Sequence, residues 1–373
     1  MTTPLCNAYL EIDMPRLRRN VRAIAGSLPA GTALIAVLKD DAYGLGQAAV
    51  GGMLADMPEV STLAVAHVAE GLALREAGVK KEILVMGGAP GFLLVPALEC
   101  GLTLPLWRPG VAPQLGAWAA EQGVHARVEI KLETGLNRVG FAPGAELDGL
   151  LQELAPWREH LHITGAFSHF ANTADAAFTE WQYQAFLAGV AQLEKAGIPV
   201  PRRHISSSAS SELYPQYHLD AVRLGRRLYM DNPENPLGGI EEVPSWRSWV
   251  TAVRTLPAGQ ALGYGRRFRL KQDTEVATVG VGYGDGLNQR LVQVGAPVLV
   301  RGHMARLLAC TMDQCFLDVT GLACRPDDEV TFFGRDSAGK LLSSQAVALL
   351  AGGDEGCGLT AALVPRVARV YKD

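Results

Sequence analysis

The fold is decided by residues 33–46, which read A-L-I-A-V-L-K-D-D-A-Y-G-L-G. An apolar run from Ala33 to Leu38 is closed by turn-forming residues, which predicts a short buried strand followed by a loop. Lys39 stands where this strand meets its loop. In a parallel α/β barrel, that rim carries the catalytic groups.

Two interpretations of Lys39 follow from this stretch alone. An amine beside apolar neighbours loses hydration, which lowers its pKa and makes it a nucleophile able to form a Schiff base. Alternatively, Lys39 is a solvated lysine at a strand end, which is a common place for this residue type. The stretch does not decide between them, so the decision depends on the rest of the chain.

Strand and helix patterns alternate as far as residue 224. Most predicted strands are followed by a helical pattern, and several helices end at a glycine such as Gly78 or Gly123. Counted from Leu34, eight short apolar strands lie at residues 34–38, 63–66, 83–86, 102–106, 127–132, 161–168, 203–206 and 221–224. This alternation predicts a (β/α)8 barrel of the TIM type. A doubly wound open sheet is the competing fold, but no G-x-G-x-x-G follows the first strand.

The pattern changes after residue 237. Six strand-like segments follow with turns and little helix between them, at residues 250–253, 274–281, 298–300, 305–310, 315–319 and 329–333. Residues 231–242 are rich in Pro, Gly and Asn and form the predicted linker. We therefore expect an α/β barrel domain at residues 1–237 and a mainly β C-terminal domain at residues 238–373.

Composition narrows the class of protein. The 373 residues carry a net charge of −4, which gives no reason to expect nucleic acid or an anionic membrane as a partner. The six cysteines have neither C-x-x-C nor zinc spacing, so reduced thiols in a cytoplasmic protein without a metal site are expected. We predict no signal peptide and no membrane span in this chain. A soluble part of a longer membrane protein stays open as an alternative.

Residues with catalytic chemistry recur at the predicted strand ends and in the β domain. Seven segments carry them: KLETGLNRVGF (131–141), FSHFAN (167–172), HISSSAS (204–210), VRLGRRLY (222–229), LGYGRRF (262–268), VGYGDG (281–286) and TMDQ (311–314). Together with Lys39 and the Tyr43-Gly44 pair, they resemble the alanine racemase family, whose members bind pyridoxal 5′-phosphate. The resemblance extends from Tyr9 to Tyr371.

The resemblance implies that Lys39 holds pyridoxal 5′-phosphate as a Schiff base, with Tyr43 among the cofactor-binding residues. Arg138 would reach the 3′-oxygen of the cofactor and contact the substrate. Lys131 matches a lysine that is often carbamylated in the family, where the new carboxylate holds the arginine in place. Glu133 replaces the usual Asp, and a plain structural ion pair at this place is the alternative.

Five further barrel residues acquire expected roles from the resemblance. His169 would stack on the cofactor ring, although a core histidine is the alternative. The backbone N–H of Ser208 and the amides of Gly225 and Arg226 would bind the phosphate, although serines are also ordinary N-caps. Arg223 would face the pyridine nitrogen. Because arginine does not readily give up its proton, that nitrogen stays neutral and the ring is a weaker electron sink.

In the β domain, the resemblance implies that Tyr264 is the second catalytic residue. The family places this tyrosine across the interface of a homodimer, so Tyr264 would act in trans. Tyr283, Met312 and Asp313 would lie beside the substrate. A single tyrosine in a β domain is usually a packing residue, but here three motifs follow in the family's order.

The implied activity is an amino-acid racemase, an isomerase that interconverts L- and D-alanine by two-base proton exchange at Cα. It would supply D-amino acid for peptidoglycan. Serine or broad-specificity racemisation is one alternative. A decarboxylase of the same architecture is another, but such enzymes place a glutamate at the pyridine nitrogen, where this chain has Arg223. A non-catalytic barrel that carries the cofactor is the alternative from another class, and such proteins lack a β domain and an equivalent of Tyr264. A racemase-like domain used only for binding is the last alternative.

The substrate entrance departs from the family pattern. Members carry a gate tyrosine shortly before the final R-V-x-R-V-Y, whereas residues 356–367 here read GCGLTAALVPRV. We align Ala361 with the gate and keep Cys357 as the second choice. Ala309 replaces an entrance arginine. Both changes remove bulk, so alanine is the first expected substrate and serine a close second.

Overall fold

The computed structural model describes residues 5–230, 239–353 and 356–373. They divide into two compact units. The barrel unit contains residues 21–42 and 47–225, and the β unit contains the described parts of residues 1–20, 43–46 and 226–373. The predicted domain boundary at residues 237 and 238 lies outside the described residues, as does most of the predicted linker, so the division into 1–237 and 238–373 stays a prediction.

Eight parallel strands form the barrel unit, which confirms the predicted fold class. In chain order, barrel strands 1–8 are Ala33–Val37, Val60–Val65, Ile83–Val85, Leu104–Leu106, Ala126–Lys131, Leu161–Phe167, Arg203–His204 and Ala221–Leu224. They form two four-stranded sheets, in the orders 3-2-1-8 and 4-5-6-7. The ring closes because Val85 N–H donates to Thr103 O (2.9 Å) and Arg223 N–H donates to Ser206 O (3.0 Å).

Helices follow most of these strands, as the alternating pattern predicts. They are Gln47–Ala55, Val68–Glu76, Leu94–Glu99, Val111–Gln122, Ala145–Leu154, Ala176–Lys195 and Ser208–Leu213; Met14–Ser27 precedes the first barrel strand. The longest, Ala176–Lys195, begins where the Asp175 carboxylate accepts the Phe178 N–H. Such a cap satisfies one of the N–H groups that a helix leaves unpaired in its first turn.

The loop after barrel strand 1 has an unusual backbone. Residues 40–43 all have φ between 54° and 58°, which is a left-handed turn without glycine. This conformation costs roughly 1–2 kcal/mol for each such residue, so the surrounding contacts must hold it. The Asp40 N–H donates to Glu70 Oε1 (2.6 Å), and Asp41 Oδ1 accepts the Gln47 N–H (2.7 Å). The sequence indicated a loop here, but not its handedness.

The β unit is built on a nine-stranded, mostly antiparallel sheet, which confirms the mainly β C-terminal part. In spatial order its strands are Leu341–Leu342, Glu329–Arg335, Pro297–Val300, His303–Cys310, Cys315–Asp318, Thr274–Val279, Pro244–Leu256, Ala8–Asp13 and Ala368–Lys372. Glu329–Arg335 also pairs with Pro244–Leu256, so six of the strands close into a ring. A short hairpin, Ala261–Leu262 with Phe268–Arg269, projects from it. The helices are Arg226–Tyr229, Gln289–Val294, Ser344–Leu350 and Cys357–Ala361.

Two further properties bear on the sequence analysis. None of the helices in the described part of the chain is long and apolar enough to cross a membrane. All six cysteines are free thiols.

Candidate active site

Basic side chains gather at the carboxyl ends of the barrel strands. Lys131 is the last residue of barrel strand 5, Arg223 lies in strand 8, and His169 follows strand 6 by two residues. Arg223 Nη2 lies 3.0 Å from His169 Nδ1. The Phe167 ring contacts both basic side chains, 4.5 Å from Lys131 Nζ and 5.6 Å from Arg223 Cζ. Residues that are far apart in the sequence therefore form one cluster, and its role as a site stays a prediction.

Arg223 is the centre of this cluster. Its Nη1 bonds His204 Nδ1 (2.8 Å) and His204 O (3.0 Å). Its Nη2 bonds Ser168 O (2.7 Å), His169 Nδ1 (3.0 Å) and Ile205 O (3.1 Å). Within the described residues every one of these acceptors is neutral, and all of them engage the two terminal nitrogens. The Nε–H is therefore the donor that Arg223 can offer a ligand.

The charge states follow from this geometry. Burial lowers the pKa of Arg223 to about 10, so the guanidinium stays charged at neutral pH. Because a guanidinium only donates, His204 and His169 must accept through Nδ1 and carry their proton on Nε2. Burial also lowers the pKa of His204 to about 4 and holds the pKa of His169 well below its ordinary value. Both imidazoles are therefore neutral at physiological pH.

Lys131 is a buried amine beside cations. Burial and then the charges of Arg223 and Arg138 hold its pKa well below the ordinary value for lysine. A neutral amine is nucleophilic, whereas an ammonium is not. The environment of Lys131 is therefore compatible with carbamylation, which stays a prediction.

The loop that carries Arg138 is organised by Glu133. One carboxylate oxygen accepts the Gly135 N–H (2.5 Å), and the other accepts the Arg138 N–H (3.2 Å). Glu133 thus binds the backbone of this loop. The buried amide of Gln182 ties this loop to the next, since it donates to Thr134 O and accepts the Ala171 N–H, both at 2.9 Å.

A second part of the barrel rim offers backbone N–H groups. Ser208 begins the helix Ser208–Leu213, and Ser210 Oγ accepts the Ser207 N–H (2.7 Å) just before it. The Gly225 N–H, at the end of barrel strand 8, donates to Ser208 Oγ (3.4 Å). The predicted phosphate residues Ser208 and Gly225 are therefore adjacent. N–H groups in the first turn of a helix have no partner within the helix and suit an anion.

Lys39 and Tyr43 lie at the two ends of the left-handed turn. Lys39 is half-buried in the barrel unit, and its charge acts on His169. Tyr43 belongs to the β unit, where its ring lies 5.6 Å from the ring of the fully buried Tyr229. Arg226 begins the short helix Arg226–Tyr229 in the same unit.

The predicted residues of the β unit lie on neighbouring loops. Tyr264 starts a tight turn and is 82% exposed. Gly263 precedes it with φ 67°, and a Cβ there would lie 4.0 Å from Ala309 Cβ. The Tyr283 N–H donates to Thr311 O (3.1 Å), which places Tyr283 next to the exposed Met312 and Asp313. Exposed aromatic and apolar side chains that cluster in this way are typical of a binding surface.

The residues predicted to line the substrate entrance differ in their surroundings. Ala309 is buried with Leu262 and Leu308 beneath the Tyr264 turn. Ala361 is exposed, and a Cβ added at Gly44 would lie 2.9 Å from Ala361 Cα. The Ala361 segment therefore packs directly on the backbone that follows the left-handed turn. Cys357 is buried at the start of its short helix.

Sequence reasoning missed the polar residues beneath this site. Glu129 accepts from Arg202 and bonds His204, all inside the barrel. A signal was present, because residues two apart in a strand share a face. Glu129 precedes Lys131 by two positions, and Arg202 precedes His204 by two. Among the described residues, no group of three His, Cys, Asp or Glu side chains could hold a metal ion.

The chain combines a closed parallel barrel with a mostly antiparallel β unit, and a basic cluster lies at the ends of the barrel strands. It therefore belongs to the class of proteins that consist of a barrel domain and a β domain. Residues 12–233 match the family model for the N-terminal domain of alanine racemase, and residues 243–371 match the model for its C-terminal domain. The chain therefore belongs to the alanine racemase family.

Relatives of known name or structure agree with this assignment. The chain is 30% identical to an alanine racemase of Clostridium tetani over 97% of this chain and 95% of the relative. It is 33% identical to an alanine racemase of Synechocystis over 88% of this chain and 90% of the relative. The solved alanine racemase of Streptomyces coelicolor is similar with a TM-score of 0.91 and 30% identity, over 99% of both chains.

Proposed function

We propose that this protein is an alanine racemase that binds pyridoxal 5′-phosphate at the carboxyl ends of its barrel strands. The observation that carries the proposal is Arg223, whose acceptors among the described residues are all neutral and engage Nη1 and Nη2. When bound, the cofactor supplies an electron sink for the charge that develops at Cα. Lys39, Tyr43, Arg138, His169, Ser208, Arg223, Gly225 and Arg226 are the residues proposed to hold it.

Arg223 sets the character of this site. Arg223 would donate a hydrogen bond to the ring nitrogen without transferring its proton, because its pKa is about 10 in the buried site. With this residue in place, the cofactor would supply only a moderate electron sink. A moderate sink suits simple proton exchange, whereas a carboxylate at this place would favour reactions that need a stronger one.

The phosphate and the 3′-oxygen have separate partners. Ser208 and Gly225, which are hydrogen-bonded to each other at the rim, would hold the phosphate. Arg226 and Tyr43 are also assigned to the phosphate. Arg138 would bind the 3′-oxygen and help to place the substrate. Carbamylated Lys131 would then bring a carboxylate to the guanidinium of Arg138.

Racemisation needs one group that exchanges a proton on each face of Cα. We assign these groups to Lys39 Nζ on one face and to Tyr264 Oη of the partner subunit on the other. A phenol has a free pKa of about 10, so it needs a hydrogen-bonded neighbour to act as a base. The neutral His169, with its proton on Nε2, is the proposed donor to that oxygen. Tyr283, Met312 and Asp313 line the substrate side.

The proposed biological setting follows from the reaction. The enzyme acts as a homodimer in the cytoplasm and supplies D-alanine for peptidoglycan. Tyr264 is exposed in the β unit, which supports the proposal that its side chain completes the active site of a second copy of the chain.

Incubating the protein with L-alanine and pyridoxal 5′-phosphate in heavy water tests the function. We expect deuterium at Cα and both enantiomers of alanine, because each proton exchange passes through solvent-exchangeable groups on Lys39 and Tyr264. Mass spectrometry and chiral chromatography measure the two outcomes, and the same mixture without protein is the control. Carbon dioxide release would identify a decarboxylase, and alanine recovered without deuterium would contradict the proposal.

Substrate choice gives a second prediction. We expect the preference for L-alanine over L-serine, measured as the ratio of kcat/KM values, to stay below about a thousandfold. An apolar pocket rejects an added hydroxyl by roughly a hundredfold, and the exposed Ala361 adds no bulk to the entrance.

Two matched variants locate the gate. Ala361→Tyr is expected to lower serine turnover more than alanine turnover, and Cys357→Tyr serves as the comparison. A wild-type preference for alanine above about a thousandfold would contradict the relaxed entrance. A selective loss of serine turnover in Cys357→Tyr alone would place the gate at Cys357 instead.

A further inference from the structure

A buried carboxylate lies inside the barrel next to His204, which in turn bonds Arg223. Glu129 is fully buried, in barrel strand 5. Its Oε1 accepts two hydrogen bonds from Arg202, one from Nε (2.9 Å) and one from Nη2 (2.6 Å). Its Oε2 lies 2.7 Å from His204 Nε2. The two oxygens of one carboxylate thus have different partners, one a guanidinium and the other an imidazole.

The orientation of Arg202 is determined by its remaining bonds. Nη2 donates to Glu82 Oε1 (2.9 Å), and Nη1 donates to Glu82 Oε2 (3.2 Å) and to Thr62 Oγ1 (2.9 Å). All three nitrogens of the guanidinium are therefore engaged. Whatever side chain stands at position 129 must present an acceptor to Arg202.

The orientation of the His204 ring is equally constrained. Its plane is parallel to that of the Phe167 ring, at an interplanar angle of 1° and a centroid distance of 5.2 Å. Its Nδ1 accepts from Arg223 Nη1 at 2.8 Å. The proton of the neutral ring is therefore on Nε2. The hydrogen-bond partner of this N–H must be an acceptor, and the Glu129 carboxylate is that acceptor.

We propose that Glu129 is a positioning residue that selects the Nε2–H tautomer of His204 and thereby holds Arg223 in the orientation used toward the cofactor. The part of this statement that concerns the cofactor rests on the proposed function. The tautomer itself does not, because it follows from bonds within the barrel unit. The orientation of Arg223 in turn positions His169, because His169 bonds the other terminal nitrogen of Arg223.

Glu129→Gln makes this proposal testable, because a carboxamide has one acceptor and one donor end. Arg202 directs two donors at the position of Oε1, so the amide oxygen must face Arg202. The amide NH2 then faces His204 Nε2, which must become an acceptor, and the imidazole proton moves to Nδ1. That proton points at Arg223 Nη1, another donor, so the bond between His204 Nδ1 and Arg223 Nη1 is lost, and of their two bonds only the one to His204 O remains.

The tautomer is read by 15N NMR of histidine-labelled protein at pH 7, with His204 assigned from the spectrum of His204→Gln. We expect Nε2–H in the wild type and Nδ1–H in Glu129→Gln. Glu82→Gln is the matched control, because it also removes one carboxylate bonded to Arg202 but does not touch His204, and it should retain Nε2–H. Glu129→Gln that keeps Nε2–H, or Glu82→Gln that changes tautomer, would overturn the proposal.

Removing the Arg202 guanidinium from the Glu129→Gln variant should restore the wild-type tautomer of His204. In Glu129→Gln with Arg202→Met, the carboxamide is free to turn its oxygen toward His204, so we expect Nε2–H again. Arg202→Met alone should also keep Nε2–H, because the Glu129 carboxylate remains. This single variant tests the proposal even if Glu129→Gln does not fold, which circular dichroism would reveal. A switch to Nδ1–H in Arg202→Met would show that Glu129 does not select the tautomer.

The consequence for catalysis is measured separately. We expect Glu129→Gln to lower kcat about tenfold or more with a smaller change in KM, and the double variant to recover most of it. Glu82→Gln should stay near wild type in kcat. A loss of activity in Glu129→Gln without a tautomer change would overturn the positioning role, whereas an inactive wild type with the expected tautomers would contradict only the proposed function.

Discussion

Replacing Lys39 with alanine is expected to lower the rate of alanine racemisation at least about a thousandfold in both directions. The variant removes the amine at the end of barrel strand 1, where the left-handed turn begins. It therefore loses both the proposed attachment point of the cofactor and the group that exchanges the proton on one face of Cα. The strand itself is held by backbone bonds, so the fold should survive.

Two measurements test this expectation. Circular dichroism at fixed wavelength follows racemisation from L- and from D-alanine, and the visible absorption after gel filtration reports retained cofactor. Lys195→Ala is the control, because Lys195 is an exposed lysine at the end of the helix Ala176–Lys195. A Lys39→Ala protein that retains the absorption of covalently held cofactor would contradict the assignment.

Replacing Tyr264 with phenylalanine is expected to reduce racemisation by about a hundredfold to ten-thousandfold, since only the phenol oxygen is removed. Tyr264 is 82% exposed, so the loss of its hydroxyl group should cost little folding stability. If the tyrosine acts across a homodimer, Lys39→Ala and Tyr264→Phe subunits complement each other. A mixed dimer then has one site with both wild-type groups.

Complementation gives a numerical expectation. With random exchange of equal amounts, half of the dimers are mixed and each has one working site of two, so about a quarter of the wild-type activity should return. Differently tagged subunits verify the exchange. Lys39→Ala mixed with the double variant is the control and should stay inactive. No recovery despite verified exchange would mean that Tyr264 acts within its own chain.

Local sequence patterns were sufficient to predict the barrel and the residues at the ends of its strands. A short apolar run that ends in a polar residue identifies a buried strand and its end, and this information lies within a few neighbouring positions. Because parallel strands of a barrel end on one face, Lys39, Lys131, His169 and Arg223 could be assigned to one site before any contact was known. The contacts of Arg223 with His169 and of Gly225 with Ser208 agree with that assignment.

The sequence by itself thus determined the two-part architecture and which residues stand at the strand ends, since both depend on local periodicity. Only the tertiary structure decided the partners of the buried charges. Glu129 and Arg202 are 73 positions apart, and their contact exists because barrel strands 5 and 7 lie in one sheet, with only strand 6 between them. The turn after Lys39 is likewise held by a distant residue, since the Asp40 N–H donates to Glu70, which lies 30 positions away. A buried polar group needs a partner, but the chain order does not say which one, because packing in three dimensions makes that choice.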